Sequence, residues 1–147
     1  MKLITKNTDY AIRALMYLSR NPGRCVASTE IAQSEGIPKQ YLRNILRLLK
    51  QDGILESKEG ACGGVKFRRR PEDVYITGII RLFQGNIEMA DCMFRKSICP
   101  ERGRCVLRAR IKAVERKLKD EFSGISIGTL KNDLESRPGR RVKRGKP

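Results

Sequence analysis

Apolar positions along the chain recur first at helical spacing. In NTDYAIRALMYLS, residues 7–19, Ile12, Leu15 and Met16 fall three and four apart, and Ala11 and Leu18 widen the same face. Such steps line up on one side of a 3.6-residue helix, so an amphipathic helix is expected here. Asn7 is its expected N-cap, and Asp9 in the first turn suits the positive end of the helix dipole. NPGR at 21–24 breaks the chain. Ser28 is then expected to cap a short helix through Ser34, with Gly36 supplying a turn. Pro38 should open the next helix at its first position, where a missing N–H costs nothing. That helix, PKQYLRNILRLLKQ, directs Leu42, Ile45, Leu46 and Leu49 to one side, and Gly53 ends it.

Beyond Gly53 the pattern changes. Ile54–Leu55 and Val65–Phe67 read as two short strands with EGACGG as the hairpin tip. Gly60, Gly63 and Gly64 in that tip permit close approach of a backbone. Pro71 ends the hairpin, and ITGIIRLFQG gives a short helix to Gly85. From Val106 a longer helix carries Leu107, Ile111, Val114, Leu118 and Phe122, stepping by 4, 3, 4 and 4. A narrow apolar stripe on a charged helix seeks a partner helix, and a second subunit is the expected source, giving a homodimer. SIGTLKNDL forms a shorter helix, and SRPGRRVKRGKP, with six basic residues and no acid, reads as a disordered tail.

Two helices joined by a tight glycine-containing turn, followed at once by a hairpin, make a winged helix-turn-helix. The expected fold is mainly α with a small β-hairpin: a DNA-binding domain over 1–85 and a cysteine loop over 86–105. A dimerisation helix and C-terminal helix over 106–135, then a basic tail over 136–147, complete it.

Charge points the same way. The chain has 147 residues, with 32 Lys and Arg against 16 Asp and Glu, a net charge of +16. A solvated surface needs no such excess, and a polyanionic partner accounts for it. No apolar run approaches the ~18 residues that span a bilayer, and no strongly amphipathic helix of the membrane-surface kind is evident. Double-stranded DNA is therefore the expected partner, with no membrane. The opening MKLITKNTDY lacks the apolar core of a secretory signal, so a cytoplasmic location is expected.

The polar face of the second helix of the pair carries Lys39, Gln40, Tyr41, Arg43, Asn44, Arg47 and Lys50. Such side chains donate to base edges in the major groove and to phosphates. Arg43 and Gln40 are the expected base readers, with Lys39 and Lys50 on phosphate. Lys58, Lys66 and Arg68, followed by Arg69 and Arg70, add positive charge to the hairpin.

The five cysteines are unevenly placed, and CMFRKSICPERGRC puts Cys92, Cys99 and Cys105 within one polar stretch. An odd count argues against a disulfide framework. Zinc would normally show a close C-x2-C pair and a fourth Cys or His ligand. The spacing here is C-x6-C-x5-C, and the chain has no histidine. Thiolates among arginines suit iron–sulfur ligation, a thiol redox switch or a softer metal, and spacing alone leaves these open.

Nearly end to end, the chain resembles the winged-helix regulators that include IscR, NsrR and CymR. The resemblance rests on MKLITKNTDYAIRALMYL, STEIAQSEGIPKQYLRNILRLLKQDGIL, GACGGVKF, RPEDVYITGIIRLFQG, the three cysteines and ISIGTLKNDL, covering residue 1 to about 135. It implies a homodimeric transcription factor, in look nearest the NsrR branch, with its long helices crossing at the dimer interface. It also implies an iron–sulfur cluster, [4Fe-4S] or [2Fe-2S], on Cys92, Cys99 and Cys105. Leu107 and Arg108 follow Cys105, where some cluster-binding relatives carry a histidine ligand. Others use an acid on the first helix of the opposite subunit, which places Asp9 in that role; Asp91 and Glu101 are weaker candidates. The chain departs from the family in its x6 gap. It also has Glu59 where IscR-like members carry an arginine that enters the minor groove, so Arg68–Arg70 are candidates to substitute. Cys25 and Cys62 are read as incidental thiols.

The expected function is a DNA-binding transcriptional regulator, a repressor, that senses redox state, nitric oxide or iron–sulfur supply, and not an enzyme. It has two rivals: an iron–sulfur electron-transfer component, and a cluster-free regulator controlled by a protein partner or thiol oxidation. No catalytic histidine, phosphate loop or Ser/His/Asp set is present to serve an enzyme. Sequence-specific operator binding separates the first rival from a regulator, and an iron–sulfur chromophore separates the second.

Overall fold

The structure, a computed structural model, describes residues 3–60, 63–87 and 104–136. Six α-helices and one β-hairpin are found among them: α1 (Lys6–Ser19), α2 (Ser28–Glu35), α3 (Lys39–Gln51), β1 (Leu55–Lys58), β2 (Gly64–Phe67), α4 (Ile76–Gln84), α5 (Val106–Ser123) and α6 (Ile127–Ser136). A single 3-10 turn, Pro71–Asp73, joins the hairpin to α4. The order helix, helix, helix, hairpin is that of a winged helix.

The core surrounds α1, which packs against α3, α4 and α6, with the hairpin closing one side through Leu55 and Val65. Helix α3 buries Leu42, Ile45, Leu46 and Leu49, the four positions expected. Helix α1 buries Tyr10, Ala11, Ala14, Leu15 and Leu18, while Ile12 and Met16 pack at the margin. The buried face of α1 is thus rotated toward Tyr10 and Ala14 relative to the expected one. Two alanines let neighbouring helices approach closely there.

Three helix starts differ from expectation. Thr5, not Asn7, caps α1, with its side chain accepting from the Thr8 N–H at 3.4 Å. Ser28 is the first residue of α2 rather than its cap; the cap is Ala27, which makes no side-chain hydrogen bond. Pro38 is the N-cap of α3 rather than its first residue, so the helix begins at Lys39, one position later than expected. Serine and asparagine signal a helix start without fixing which of several adjacent polar residues turns inward. Gly36, at φ 63°, ends α2 in the left-handed conformation that lets α3 turn away from it.

The hairpin is antiparallel, with Leu55 opposite Phe67 and Lys58 opposite Gly64. Its outer edge is not free: Val26, between α1 and α2, pairs with Val65 through two hydrogen bonds of 2.9 Å. Gly64 allows this. A Cβ there would stand 2.5 Å from the Val26 carbonyl oxygen and 2.6 Å from its carbon. Backbone atoms cannot swing aside as a side-chain tip does. Gly64→Ala is expected to detach Val26 from the hairpin and lower stability by about 1–3 kcal/mol, read as a fall in the midpoint of urea unfolding.

Helix α6 returns to the N-terminal body. Ile127 N–H donates to the Val74 carbonyl, and Ile76 N–H donates to that of Ile125, both at 2.9 Å. Gly128 rests directly against the backbone of Glu72. Helix α5 buries none of its residues: Leu107 is 69% exposed and Val114 50%, while Leu118 and Phe122 reach the core margin. No helix among the described residues is long and apolar enough to cross a membrane.

Candidate nucleic-acid interface and cysteine segment

The face of α3 opposite its buried leucines is polar and open. Lys39, Gln40, Tyr41, Arg43, Asn44, Arg47 and Lys50 are all exposed. Steps from Gln40 through Arg43 and Asn44 to Arg47 keep these side chains on one stripe, the shape that fits a major groove. Arg47 donates to Asn44 Oδ1 at 2.8 Å and to Gln51 Oε1 at 3.1 Å, so this part of the stripe is already ordered. Arg43 has no such partner among the described residues, which leaves all five of its guanidinium donors for a nucleic acid.

Helix α3 is held from both sides. Its first turn meets α1 through Tyr41, whose ring lies edge-on to that of Tyr10 at 6.2 Å. The Lys6 ammonium sits over both rings, at 5.6 and 5.8 Å. Arg13 on α1 donates to the Glu35 carbonyl at the end of α2 and lies 3.6 Å from its carboxylate, which Arg20 also engages at 3.2 Å. Tyr17 donates to Glu30 at 2.8 Å, and this bond first, then Arg24, holds the Glu30 carboxyl below its ordinary pKa. These contacts fix α2 on α1, and α2 positions the turn.

The hairpin's basic residues are spread along its length. Lys58 is exposed at the tip end of β1. Lys66 lies mid-strand and bridges to Glu56 at 3.0 Å, which raises its pKa. Arg68 stands exposed at the hairpin base, its N–H bonded to the Ile54 carbonyl. It is four residues beyond Gly64, about 13 Å along an extended strand. Arg69 donates to the Asp52 carbonyl that ends α3, and Arg70 pairs with Asp73 at 2.9 Å.

Of the expected cluster ligands, the structure describes Cys105 and Asp9; Cys92 and Cys99 lie outside the described residues, as do Cys62, Asp91, Glu101 and the basic tail beyond Ser136. Cys105 is the N-cap of α5, with its sulfur accepting from the Arg108 N–H at 3.4 Å. Asp9 is exposed in the first turn of α1 and only loosely paired, 3.9 Å from Arg13. Its oxygens remain open to another partner. Cys25 is a half-buried free thiol beside Val26.

Residues 4–133 match the family model Rrf2, described as an iron-dependent transcriptional regulator. The chain belongs to the Rrf2 family. Among individual Rrf2-type relatives, it is 31% identical over 129 residues to the HTH-type transcriptional repressor NsrR of Streptomyces coelicolor, covering 86% of each chain. In fold it is similar to T. potens IscR, with a TM-score of 0.75 at 21% identity over 95% of this chain and 93% of that one. It is equally similar to CymR of B. subtilis, also at 0.75 and 21%, over 90% and 98%. The expected winged-helix fold and family are therefore borne out, and the protein is a transcriptional regulator rather than an enzyme.

Three features of the site have no counterpart in the sequence reading: the Tyr10–Tyr41 contact, the Arg13–Glu35 link, and the hydrogen bonds of Gln84 to the start of α1. Each joins residues distant in the chain and leaves no periodic signal.

Proposed function

We propose that this Rrf2-family protein is a homodimeric repressor whose hold on its operator depends on an iron–sulfur cluster. The observation that carries the DNA-binding half is the exposed stripe of α3, pinned on its reverse side by four buried aliphatic residues in a chain of net charge +16. Gln40 and Arg43 read bases, Lys39 and Lys50 meet phosphates, and Tyr41, Asn44 and Arg47 complete the contact. Lys58, Lys66 and Arg68 bring the hairpin toward the backbone. The uncovered stripe of α5 supports pairing with a second copy, which sets the distance between two α3 helices. Half-sites read by such a dimer lie about one DNA turn (~34 Å) or a multiple apart.

The donor set fits a cluster. Cys92, Cys99 and Cys105 would supply thiolates, and Asp9 of the other subunit would supply the fourth ligand in a chain without histidine. Cys105 is poised for this by its place at the start of α5, and Asp9 by its loosely held carboxylate. A bound cluster would supply redox-active iron able to react with a small molecule such as nitric oxide. The chain's own part is to join the DNA-reading body, through Asp9, to the dimer helix, through Cys105.

Binding to phosphate releases counterions, so operator affinity should fall steeply with salt. Replacing Lys39 by alanine is expected to weaken specific and random DNA alike and to flatten the log–log salt slope by ~0.9 for each phosphate no longer neutralised. A slope unchanged in the variant would remove Lys39 from the phosphate-binding set.

A further inference from the structure

Gln84 is the last residue of α4, at the point where the chain leaves that helix toward the cysteines. Its amide reaches back to the start of α1. Oε1 accepts from the Thr5 N–H at 2.9 Å and from the Thr8 hydroxyl at 2.8 Å, while Nε2 donates to the Leu3 carbonyl at 2.9 Å. The partners fix the amide's orientation, because a backbone N–H can only donate and a carbonyl can only accept.

The three bonds grip one small region. Thr5 is the α1 cap, Thr8 is fully buried, and their hydroxyls are 3.0 Å apart. The Thr5 carbonyl accepts from Asp9 N–H at 2.9 Å. Lys6 in this first turn and Tyr10 just after it hold Tyr41 of α3. A contiguous path therefore runs from the end of α4 through the α1 cap to the first turn of the DNA-reading helix.

We propose that Gln84 is a positioning residue that couples the cysteine segment to α3. A pull on the chain after α4 shifts the Gln84 amide, and its three bonds carry the shift to the α1 cap, Asp9 and Tyr41. A side chain serving only to staple the N-terminus would need no link to α3, whereas this one meets the turn that also holds Tyr41. The role rests on the cluster-dependent reading above and adds the route by which that dependence reaches DNA.

Gln84→Leu keeps the approximate size and removes all three bonds; Thr8→Val removes one of them, together with the Thr5–Thr8 hydroxyl contact, and keeps the shape. Both variants and the wild-type protein would be prepared anaerobically, with iron and sulfide measured, and operator Kd determined before and after the cluster is stripped. Backbone amide exchange would be followed in the stripped proteins at residues 5–10 and 40–43. The expected result for Gln84→Leu is retained iron, a stripped-to-loaded Kd ratio reduced at least fivefold toward one, and faster exchange in both segments together. Thr8→Val should show the same pattern more weakly. A lower melting temperature with an unchanged Kd ratio, or faster exchange at 5–10 alone, would reduce Gln84 to an N-terminal staple and overturn the proposal. If wild-type protein holds no cluster, the functional reading fails, and the exchange measurements still decide whether Gln84 couples the two segments.

Discussion

Cys105→Ser is expected to lose the iron–sulfur chromophore while keeping the fold. The cysteine has two jobs that this substitution separates. As N-cap of α5 its sulfur accepts from the Arg108 N–H, and a serine hydroxyl does this at least as well. As a proposed iron ligand it must be a soft thiolate, which a hydroxyl replaces poorly. Iron and sulfide should therefore fall to background, with helical content and thermal midpoint close to wild type. Cys92→Ser and Cys99→Ser should match it, whereas Cys25→Ser and Cys62→Ser should keep the chromophore. Full iron retention in Cys105→Ser would remove it from the ligand set. A collapse of helical content would instead show that the cap is its main role.

Arg43→Ala should produce the largest loss of operator binding from any single change on α3. The residue is exposed at the middle of the stripe, and the neighbouring Arg47 is already engaged with Asn44 and Gln51. Removing a bidentate contact to guanine costs about 1–3 kcal/mol, roughly five- to 150-fold in Kd, and relaxes the preference at one base pair. The salt slope should change little by comparison with Lys39→Ala. Competition against operators altered at each position checks this. An equal loss on every sequence would make Arg43 a phosphate contact.

The helices of the N-terminal body and the hairpin were legible because each buries one side, and burial imposes a period. Leu42, Ile45, Leu46 and Leu49 show this in full, since four apolar positions on one turn pattern both predict α3 and pin its polar face outward. The stripe of DNA-reading candidates follows from the same rule. Helix caps were less legible, because Thr5 and Asn7 both carry side-chain groups able to cap α1 and only tertiary contacts choose between them. Thr5 is chosen because Gln84 takes its N–H and Thr8 shares its hydroxyl. That choice spans 79 residues of chain and has no local signature. The same holds for α6, whose return to Val74 and Glu72 depends on Gly128 lying flat against the turn.

At the candidate cluster site the residue types were legible and their assembly was not. Cysteine spacing and the lack of histidine could name thiolates and leave a fourth ligand to be found. The structure adds that Cys105 caps a helix and that, among the described residues, the Asp9 carboxylate meets just the Arg13 guanidinium, at 3.9 Å. A cluster shared between Asp9 and the cysteines would tie the DNA-reading body to α5, and breaking that tie would free them to move relative to one another. Asp9→Ala should then uncouple DNA affinity from cluster state even where some cluster remains, as titration of the operator with loaded and stripped variant would show.

Cluster-dependent DNA binding is tested most directly by operator titration of a single anaerobic preparation, before and after removal of its iron. The expected protein is coloured, with iron and sulfide bound, and dimeric in solution. Its operator Kd should change at least tenfold when the iron is removed, equivalent to about 1.4 kcal/mol. A colourless dimer that binds the operator equally well in both states would contradict the cluster-dependent mechanism.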